Sequence, residues 1–238
     1  MKRREARNFY LYTAPWLIGF FVLTLYPIVY SFYLMFTDMN LTGVGKFIGL
    51  ENLKYAFTDD PLFIKAFINT LKYVVMFVPS SIILAFFVAL LLSKKVKGLG
   101  FFRTAFYIPY ITSGVAVTIL WGWIYQKDYG IINYVLSLFG IKGVNWLGDK
   151  NIAMISIVIL SLWTIGNNII IMLAGIQDIP QSYYESAQID GAGAIRQIFS
   201  ITLPLCTPTI YFNLIVTIIA AFQVFQQPLI LTNGGPLN

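Results

Sequence analysis

Histidine is absent from the 238 residues, cysteine occurs once, at Cys206, and only ten residues are Asp or Glu. No His-dependent triad or Cys/His zinc cluster can be built from that inventory, so neither a catalytic residue nor a metal ligand is expected. A single thiol cannot close a disulfide within the chain, and Cys206 reads as a small packing residue. The acids are scattered over polar connections, which argues against the paired carboxylates of a hydrolase. Charge is scarce too: 11% of residues are charged, against ~25% in soluble domains. In their place stand 58% hydrophobic residues and a mean hydropathy of +0.75. A water-soluble fold is thereby excluded.

Five stretches carry no Asp, Glu, Lys or Arg, at about 8–37, 73–93, 104–126, 151–177 and 197–238. Each is long enough for a span of ~20 apolar residues, and each is continuously apolar rather than alternating, which favours helices over barrel strands. The expected fold class is therefore all-α, a multi-pass transmembrane helical bundle with about five helices, near 10–36, 70–92, 104–125, 152–176 and 205–231. The basic start MKRREAR precedes an apolar run far longer than a ~7–15-residue signal core, so it reads as a retained first span, bent by Pro15 and Pro27.

Basic residues orient the bundle. With the N-terminus in the cytoplasm, the inner segments hold Lys2, Arg3, Arg4, Arg7, Lys94, Lys95, Lys97, Arg103 and Arg196 against Glu5, Asp178, Glu185 and Asp190, a net +5. The outer segments net +1, from seven Lys and six acids. Because the basic charge flanks spans, it calls for membrane lipid as partner and for no nucleic acid. The outer connection 38–69, with Asn40, Thr42, Gly43, Asp60 and Pro61, is polar, and Leu53, Phe57, Phe63 and Phe67 suggest short amphipathic helices there. In the second outer connection, 126–150, residues 131–139 read as a helix at the interface anchored by Tyr and Trp.

The inner connection Tyr183–Pro208, YYESAQIDGAGAIRQIFSITLPLCTP, is the most ordered polar stretch. Pro180 suits a first helical position, and Ser182 with Glu185 fits a capping box, opening a helix to about Ile189. Asp190-Gly191 breaks it, since Gly tolerates φ > 0 and Asp bonds its own backbone. Ile195, Ile198, Phe199 and Thr202 recur at helical spacing as the apolar face of a second helix ending at Leu203-Pro204. Ser186, Ala187, Ala192, Gly193 and Ala194 are small enough for another protein to approach the backbone. By residues alone, a plain helical hairpin between spans remains open.

This stretch resembles the EAA loop of binding-protein-dependent ABC importer permeases, in which E-A-A-x-x-x-D-G-A is followed by a Phe and I-x-L-P. Glu185, Ala187, Asp190, Gly191, Ala192, Phe199, Ile201, Leu203 and Pro204 fall into step, while Ser186 replaces an Ala. RTAFYIPY at 103–110, DYGIINYVLSLFGI at 128–141, NWLGDKN at 145–151 and LTNGGP at 231–236 are similar to the sugar-importer branch, typified by maltose, lactose and glycerol-3-phosphate permeases. The resemblance implies a type I (MetI-like) permease core over 68–238, after a tail, first span and outer loop at 1–67. Six spans are usual there, so it implies a core lacking its last helix.

It further implies a bacterial or archaeal plasma-membrane subunit forming half of a pore with a second permease. The other partners would be two copies of an ABC ATPase and an extracytoplasmic solute-binding protein that delivers a carbohydrate or related polyol. ATP-Mg would be used by the ATPase, and this chain would bind no cofactor and be no enzyme. Glu185, Ala187, Asp190, Gly191, Ala192, Leu203 and Pro204 would couple to the ATPase. The spans offer only neutral polar groups, such as Tyr110, Ser113, Asn213 and Gln226, suited to uncharged polyols or to gluing helices together. Asn167, Asn168 and Gln223 stand out as the candidate substrate path. An ion-gradient-driven secondary carrier is the alternative, disfavoured because no span holds an acid.

Overall fold

Prolines and small residues decide where the apolar runs of this chain change course. The computed structural model describes residues 2–39, 43, 45–94 and 98–235. Asn40 and Thr42 of the first outer connection, Lys95 and Lys97 of the basic cluster, and Pro236 after the last helix lie outside the described residues. The chain divides into two compact units, Met1–Lys65 and Ala66–Asn238.

In the first unit, α1 (Lys2–Gly19), a π-helical stretch Phe20–Leu25 and α2 (Tyr26–Leu34) follow one another without a break. Arg7–Leu34 is long and apolar enough to cross a membrane. A two-residue ladder comes next, β1 (Thr37–Asp38) antiparallel to β2 (Lys46–Phe47). Gly45 beside it allows the strands to close, since a Cβ there would sit 2.6 Å from the Asp38 carbonyl oxygen. Asn52, on α3 (Glu51–Lys54), donates from Nδ2 to the carbonyls of Met35 (3.1 Å) and Thr37 (3.0 Å). The short helices expected of this connection are present at Glu51–Lys54 and Tyr55–Asp59, and the ladder comes in addition to them. The ladder arises because backbone groups left open at the end of α2 find partners ten residues on.

α4 (Pro61–Ser93) starts at Pro61 rather than near residue 70. The Asp60 carboxylate accepts from the N–H groups of Leu62 (2.9 Å) and Phe63 (3.3 Å), and Pro61 occupies a first-turn position whose N–H would be unpaired anyway. At ~1.5 Å per residue such a helix spans roughly 50 Å, well beyond a ~30 Å hydrocarbon core. Its first turns therefore reach outside lipid depth.

Three π-helical stretches share one cause. Phe20–Leu25, Tyr55–Asp59 and Ile198–Thr202 each end two residues before a proline: Pro27, Pro61 and Pro204. Tyr26, Asp60 and Leu203, the last donors before those prolines, reach back five residues to Phe21, Tyr55 and Ile198. A proline lacks an N–H, and its ring crowds the carbonyl four residues earlier; one wide turn relieves that crowding.

In the second unit the remaining apolar runs are bent helix pairs. α5 (Leu99–Ile111) and α6 (Gly114–Ile124) meet at 98°, and α8 (Ala153–Trp163) and α9 (Gly166–Gln177) at 52°. Among the described residues of the whole chain, two helices are long and apolar enough to cross a membrane, or up to five if each bent pair is one span. The third span expected near 104–125 is thus a bent pair covering 99–124 rather than one continuous helix. Pro109 weakens the end of α5, Thr112 (ψ 147°) and Ser113 (ψ 122°) are extended, and Thr112 Oγ1 donates back to the Ile108 carbonyl at 2.8 Å. The expected helix 205–231 is likewise divided, into α13 (Thr207–Phe222) and α14 (Gln226–Thr232), the latter stopped by Asn233 at φ 49°.

Two clusters hold this unit together. Ala85, Phe86, Ala89 and Leu92 of α4 bury against Ile169, Met172 and Ile176 of α9 and against Cys206. Tyr73, Val74 and Val78 of α4 bury against Ile157 and Val158 of α8 and Ala221 of α13. Cys206 is fully buried, as its packing role requires. α9 shows bare backbone to two neighbours. A Cβ on Gly166 would lie 2.4 Å from the Phe106 carbonyl oxygen of α5, and one on Gly175 would lie 2.4 Å from Thr209 Oγ1 of α13.

Candidate functional site

The inner connection builds from α10 (Gln181–Ile189), α11 (Ala194–Gln197), the π-helical stretch Ile198–Thr202 and α12 (Leu203–Leu205). Pro180, at φ −57° and ψ 132°, is itself the N-cap of α10, with no side-chain cap. The capping box expected of Ser182 and Glu185 is therefore corrected. Proline's fixed φ starts the helix at Gln181, which places Ser182 inside the first turn. Glu185 is exposed and makes no side-chain hydrogen bond among the described residues.

Where α10 ends, the backbone does the work and the Asp190 side chain does not. Gly191 takes φ 75°, its N–H bonds the Gln188 carbonyl at 3.0 Å, and the Ala192 N–H bonds the Ala187 carbonyl at 2.8 Å. Those two bonds form a Schellman closure, which needs a residue free of Cβ strain at the left-handed position. Gln197 Nε2 then donates to the Ala192 carbonyl at 2.8 Å, folding α11 onto the turn. Tyr184 OH meets Thr202 Oγ1 at 3.0 Å, fastening α10 to the stretch that leads into α13.

The second helix does not end at Leu203-Pro204. It continues through α12 to Leu205 and meets α13 at 65°. Nor is its apolar face a single stripe. Ile198 and Leu203 pack against the α4–α9 core and Thr202 is buried, whereas Ile195 (74% exposed) and Phe199 (65%) face outward with Ile189 (88%). Residues four apart form two adjacent columns, one docked and one bare. Ala187 and Ala192 are half-buried, Pro204 is exposed, and a Cβ on Gly191 or Gly193 would meet open space.

Deeper in the bundle, α9 and α13 cross antiparallel, as the contacts Gly175–Thr209 and Asn168–Thr217 require. Asn168 Nδ2 donates to Thr217 Oγ1 at 2.8 Å, and Asn213 Nδ2 donates to the Asn168 carbonyl at 3.2 Å. Asn213 is fully buried, and its Oδ1 has no partner among the described residues. Asn168 is thus engaged in tying two helices together. Asn167, half-buried, and Gln223, exposed at the α13–α14 break, make no side-chain hydrogen bond among the described residues. Gln223 lies six residues past Thr217, roughly 9 Å further along α13. The structure joins Asn168 to α13 but does not place the three amides in one contact.

A polar centre that the sequence reading passed over is Asn133, on α7 (Ile131–Leu138). Its Nδ2 donates to the carbonyls of Lys127 (2.9 Å) and Val144 (2.8 Å), and its Oδ1 accepts from Val144 N (3.0 Å) and Trp146 Nε1 (2.9 Å). Every hydrogen-bonding position of the amide is used. Trp146, expected as a membrane anchor, instead folds inward, with its ring 5.8 Å from that of Tyr125. Its indole N–H finds its acceptor in the loop, so it has no need of the headgroup region. Tyr125 OH donates to the Ser156 carbonyl at 2.8 Å and Ser156 Oγ to the Trp146 carbonyl at 2.9 Å, joining the ends of α6 and α8.

The chain is similar to known proteins over nearly all of its length. The family model described as "Binding-protein-dependent transport system inner membrane component" matches residues 61–238. A probable ABC transporter permease protein, YesP, of Bacillus subtilis (strain 168) is 39% identical over 240 residues, covering 99% of this chain and 77% of that protein. The arabinooligosaccharides transport system permease protein AraP of the same strain is 35% identical over 236 residues, covering 96% of this chain and 74% of that protein. Among solved structures, a chain of a bacterial alginate ABC transporter, in complex with an alginate pentasaccharide-bound periplasmic protein, superposes with a TM-score of 0.78. It is 26% identical, over 97% of this chain and 78% of that one.

Proposed function

This chain belongs to the family of binding-protein-dependent transport system inner membrane components, and on that premise we propose that it forms half of the pore of an ABC importer. The solute is a carbohydrate or related polyol, delivered by an extracytoplasmic solute-binding protein. The arabinooligosaccharide and alginate relatives support that class, as do spans whose polar groups are neutral. A second permease completes the pore, and two copies of an ABC ATPase bind and hydrolyse ATP-Mg, leaving this subunit without cofactor or hydrolytic role. The subunit sits in a bacterial or archaeal plasma membrane with its N-terminus in the cytoplasm. Its permease core is 68–238, preceded at 1–67 by a tail, first span and outer connection.

The observation that carries the reading is the fastening of the inner connection. α10 is closed by Gly191 and tied through Tyr184 to Thr202, two residues before Pro204 and the helix that continues toward α13. A displacement of α10 by a docked ATPase therefore reaches α13, and through the bare backbone of Gly175 it reaches α9. Ile189, Ile195 and Phe199 supply an apolar docking surface, the small Ala187 and Ala192 allow close approach, and Glu185 and Asp190 offer free carboxylates at its edge. Leu203 anchors the assembly in the α4–α9 core. Asn167 and Gln223, with amides uncommitted to protein, are the substrate contacts in this scheme, and Asn168 positions α9 against α13.

The complete importer, reconstituted in vesicles, tests this. Uptake should depend on ATP and survive collapse of ion gradients. Gly191→Val forces a β-branched side chain into φ > 0, at a cost of about 1–3 kcal/mol, and should abolish stimulated ATP hydrolysis and uptake while the subunit still reaches the membrane. Glu185→Ala should reduce both severalfold. Normal transport by both variants would reduce the loop to a connector. Cysteines placed singly at Lys94 or Gly193 should label only from the cytoplasmic side, and at Lys54 or Lys142 only from outside; labelling of position 193 from outside would overturn the orientation.

A further inference from the structure

Beside Asn133 the second outer connection forms an open groove of about 690 Å³, within the ~300–1,000 Å³ range of small-molecule clefts. Its walls include Lys127, Asp128, Tyr129, Ile131, Tyr134 and Ser137. The frame behind them is rigid. Asn133 holds Lys127 and Val144 through backbone bonds, and Gly130 turns the chain so tightly that a Cβ would lie 2.2 Å from the Gln126 carbonyl oxygen. At the far end, Gly140 at φ 70° closes α7 by bonds from Gly140 N to Ser137 O and from Ile141 N to Leu136 O. The backbone on either side of the groove is thus fixed by bonds within the connection itself.

What lines it is chemically specific. Tyr129 (72% exposed) and Tyr134 (64%) expose most of their side chains to solvent, and the Tyr129 hydroxyl also accepts from Gln126 Nε2 at 3.3 Å. Lys127 and Asp128 are exposed, and neither forms an ion pair among the described residues. An unpaired carboxylate accepts from two adjacent hydroxyls, an ammonium donates to their oxygens, and both bonds are charge-assisted. Flat aromatic faces pack against the C–H face of a pyranose or furanose ring. Contact with lipid hydrocarbon would leave the two adjacent charges without partners, whereas a neutral polyhydroxylated ring meets the charges and the tyrosines together.

We propose that this groove, framed by Tyr129, Tyr134, Asp128 and Lys127, is a carbohydrate-binding subsite for part of a neutral oligosaccharide, separate from the amides Asn167 and Gln223. It rests on the carbohydrate reading above and deepens it. A subsite outside the helix pairs holds residues of a chain too long for the pore site alone, so it selects oligosaccharides over monosaccharides. A neutral chain is the occupant because Lys127 and Asp128 offset each other and leave the groove no net charge to draw a uronate.

The experiment uses the assembled importer in nanodiscs, without ATP or binding protein. Saturation-transfer NMR reads binding of arabinopentaose and maltopentaose, with arabinose and glucose as short probes, all at millimolar concentration. At least one pentasaccharide should bind more tightly than its monosaccharide. Tyr129→Ala and Tyr134→Ala should each weaken it about tenfold, Asp128→Asn severalfold, and Lys150→Ala, outside the groove, should leave it unchanged. Tyr134→Phe keeps the ring and should retain most of the binding, which separates ring loss from misfolding. No pentasaccharide binding, or binding indifferent to both tyrosine truncations, overturns the proposal. So does loss of association with the binding protein while sugar binding persists, which would make the groove a protein-docking surface. ATP-dependent uptake by the unmutated importer is measured alongside. Uptake with no groove effect sinks only this subsite, whereas no sugar uptake at all sinks the functional reading itself.

Discussion

The two long connections of the second unit solve one problem in opposite ways. Each carries a short helix closed by a left-handed glycine, Gly140 at φ 70° in the outer connection and Gly191 at φ 75° in the inner one. The outer connection then bonds to itself, with Asn133 alone making four hydrogen bonds within 127–146. The inner connection makes few internal bonds and sends its contacts forward, through Tyr184 to Thr202 and through Ile198 and Leu203 into the α4–α9 core. A loop bonded to itself is a cap that holds two span ends in place. A loop bonded to the next span is a lever.

The comparison breaks most severely at Asn133. Asn133→Ala strips partners from Trp146 Nε1 and Val144 N, and at ~1–3 kcal/mol for each buried group left unpaired the outer connection should lose about 3 kcal/mol. Thermal unfolding of the purified subunit, followed by tryptophan fluorescence, reads this directly; an unchanged midpoint would mean that water replaces the amide at no cost. A smaller effect is expected on the lever side. Tyr184→Phe removes one bond worth about 1 kcal/mol, so stability should fall little. Stimulated ATP hydrolysis should nevertheless drop severalfold with ATPase association intact, a split that a merely structural bond would not produce. Smallest for the fold is Ile195→Ser, since a 74%-exposed side chain contributes within about 0.5 kcal/mol. Its effect should appear only when the ATPase is added, as weaker association in a pull-down with purified components.

How far the sequence reached follows the same division. The helix expected at 131–139 is α7, because turn residues on both sides and an apolar period mark it locally. The end of α10 at Asp190-Gly191 was legible for the same reason. The break at Thr112-Ser113 was not, since hydropathy averages over two small polar residues inside an apolar run and carries no sense of direction. The early start of α4 escaped because its signal, Asp60 before Pro61, lay in a stretch already assigned to a polar connection. The capping box failed on a one-residue competition that Pro180 wins through its fixed φ. Of the site, the small residues and Leu203-Pro204 were readable as a motif, but Tyr184–Thr202 was not. Eighteen residues separate that pair, and only the folded turn brings them together. Asn133 was hidden in the same way, with its acceptors and donors drawn from 127, 144 and 146.

The wide turn before Pro204 bears on what kind of motion the lever can deliver. Such a turn is one surplus residue in the helical ladder, and a surplus residue can slide along a helix by exchanging one amide bond for the next. Each step of that slide would swivel the following residues by ~100° about the helix axis. Pro204 has no amide to exchange, so the surplus stays on the inner side of it and cannot pass toward α13. α13 is therefore shielded from swivelling, and its side chains would keep their azimuth if the helix tilted. A push passed on from the inner connection would then reach α13 as inclination rather than as rotation.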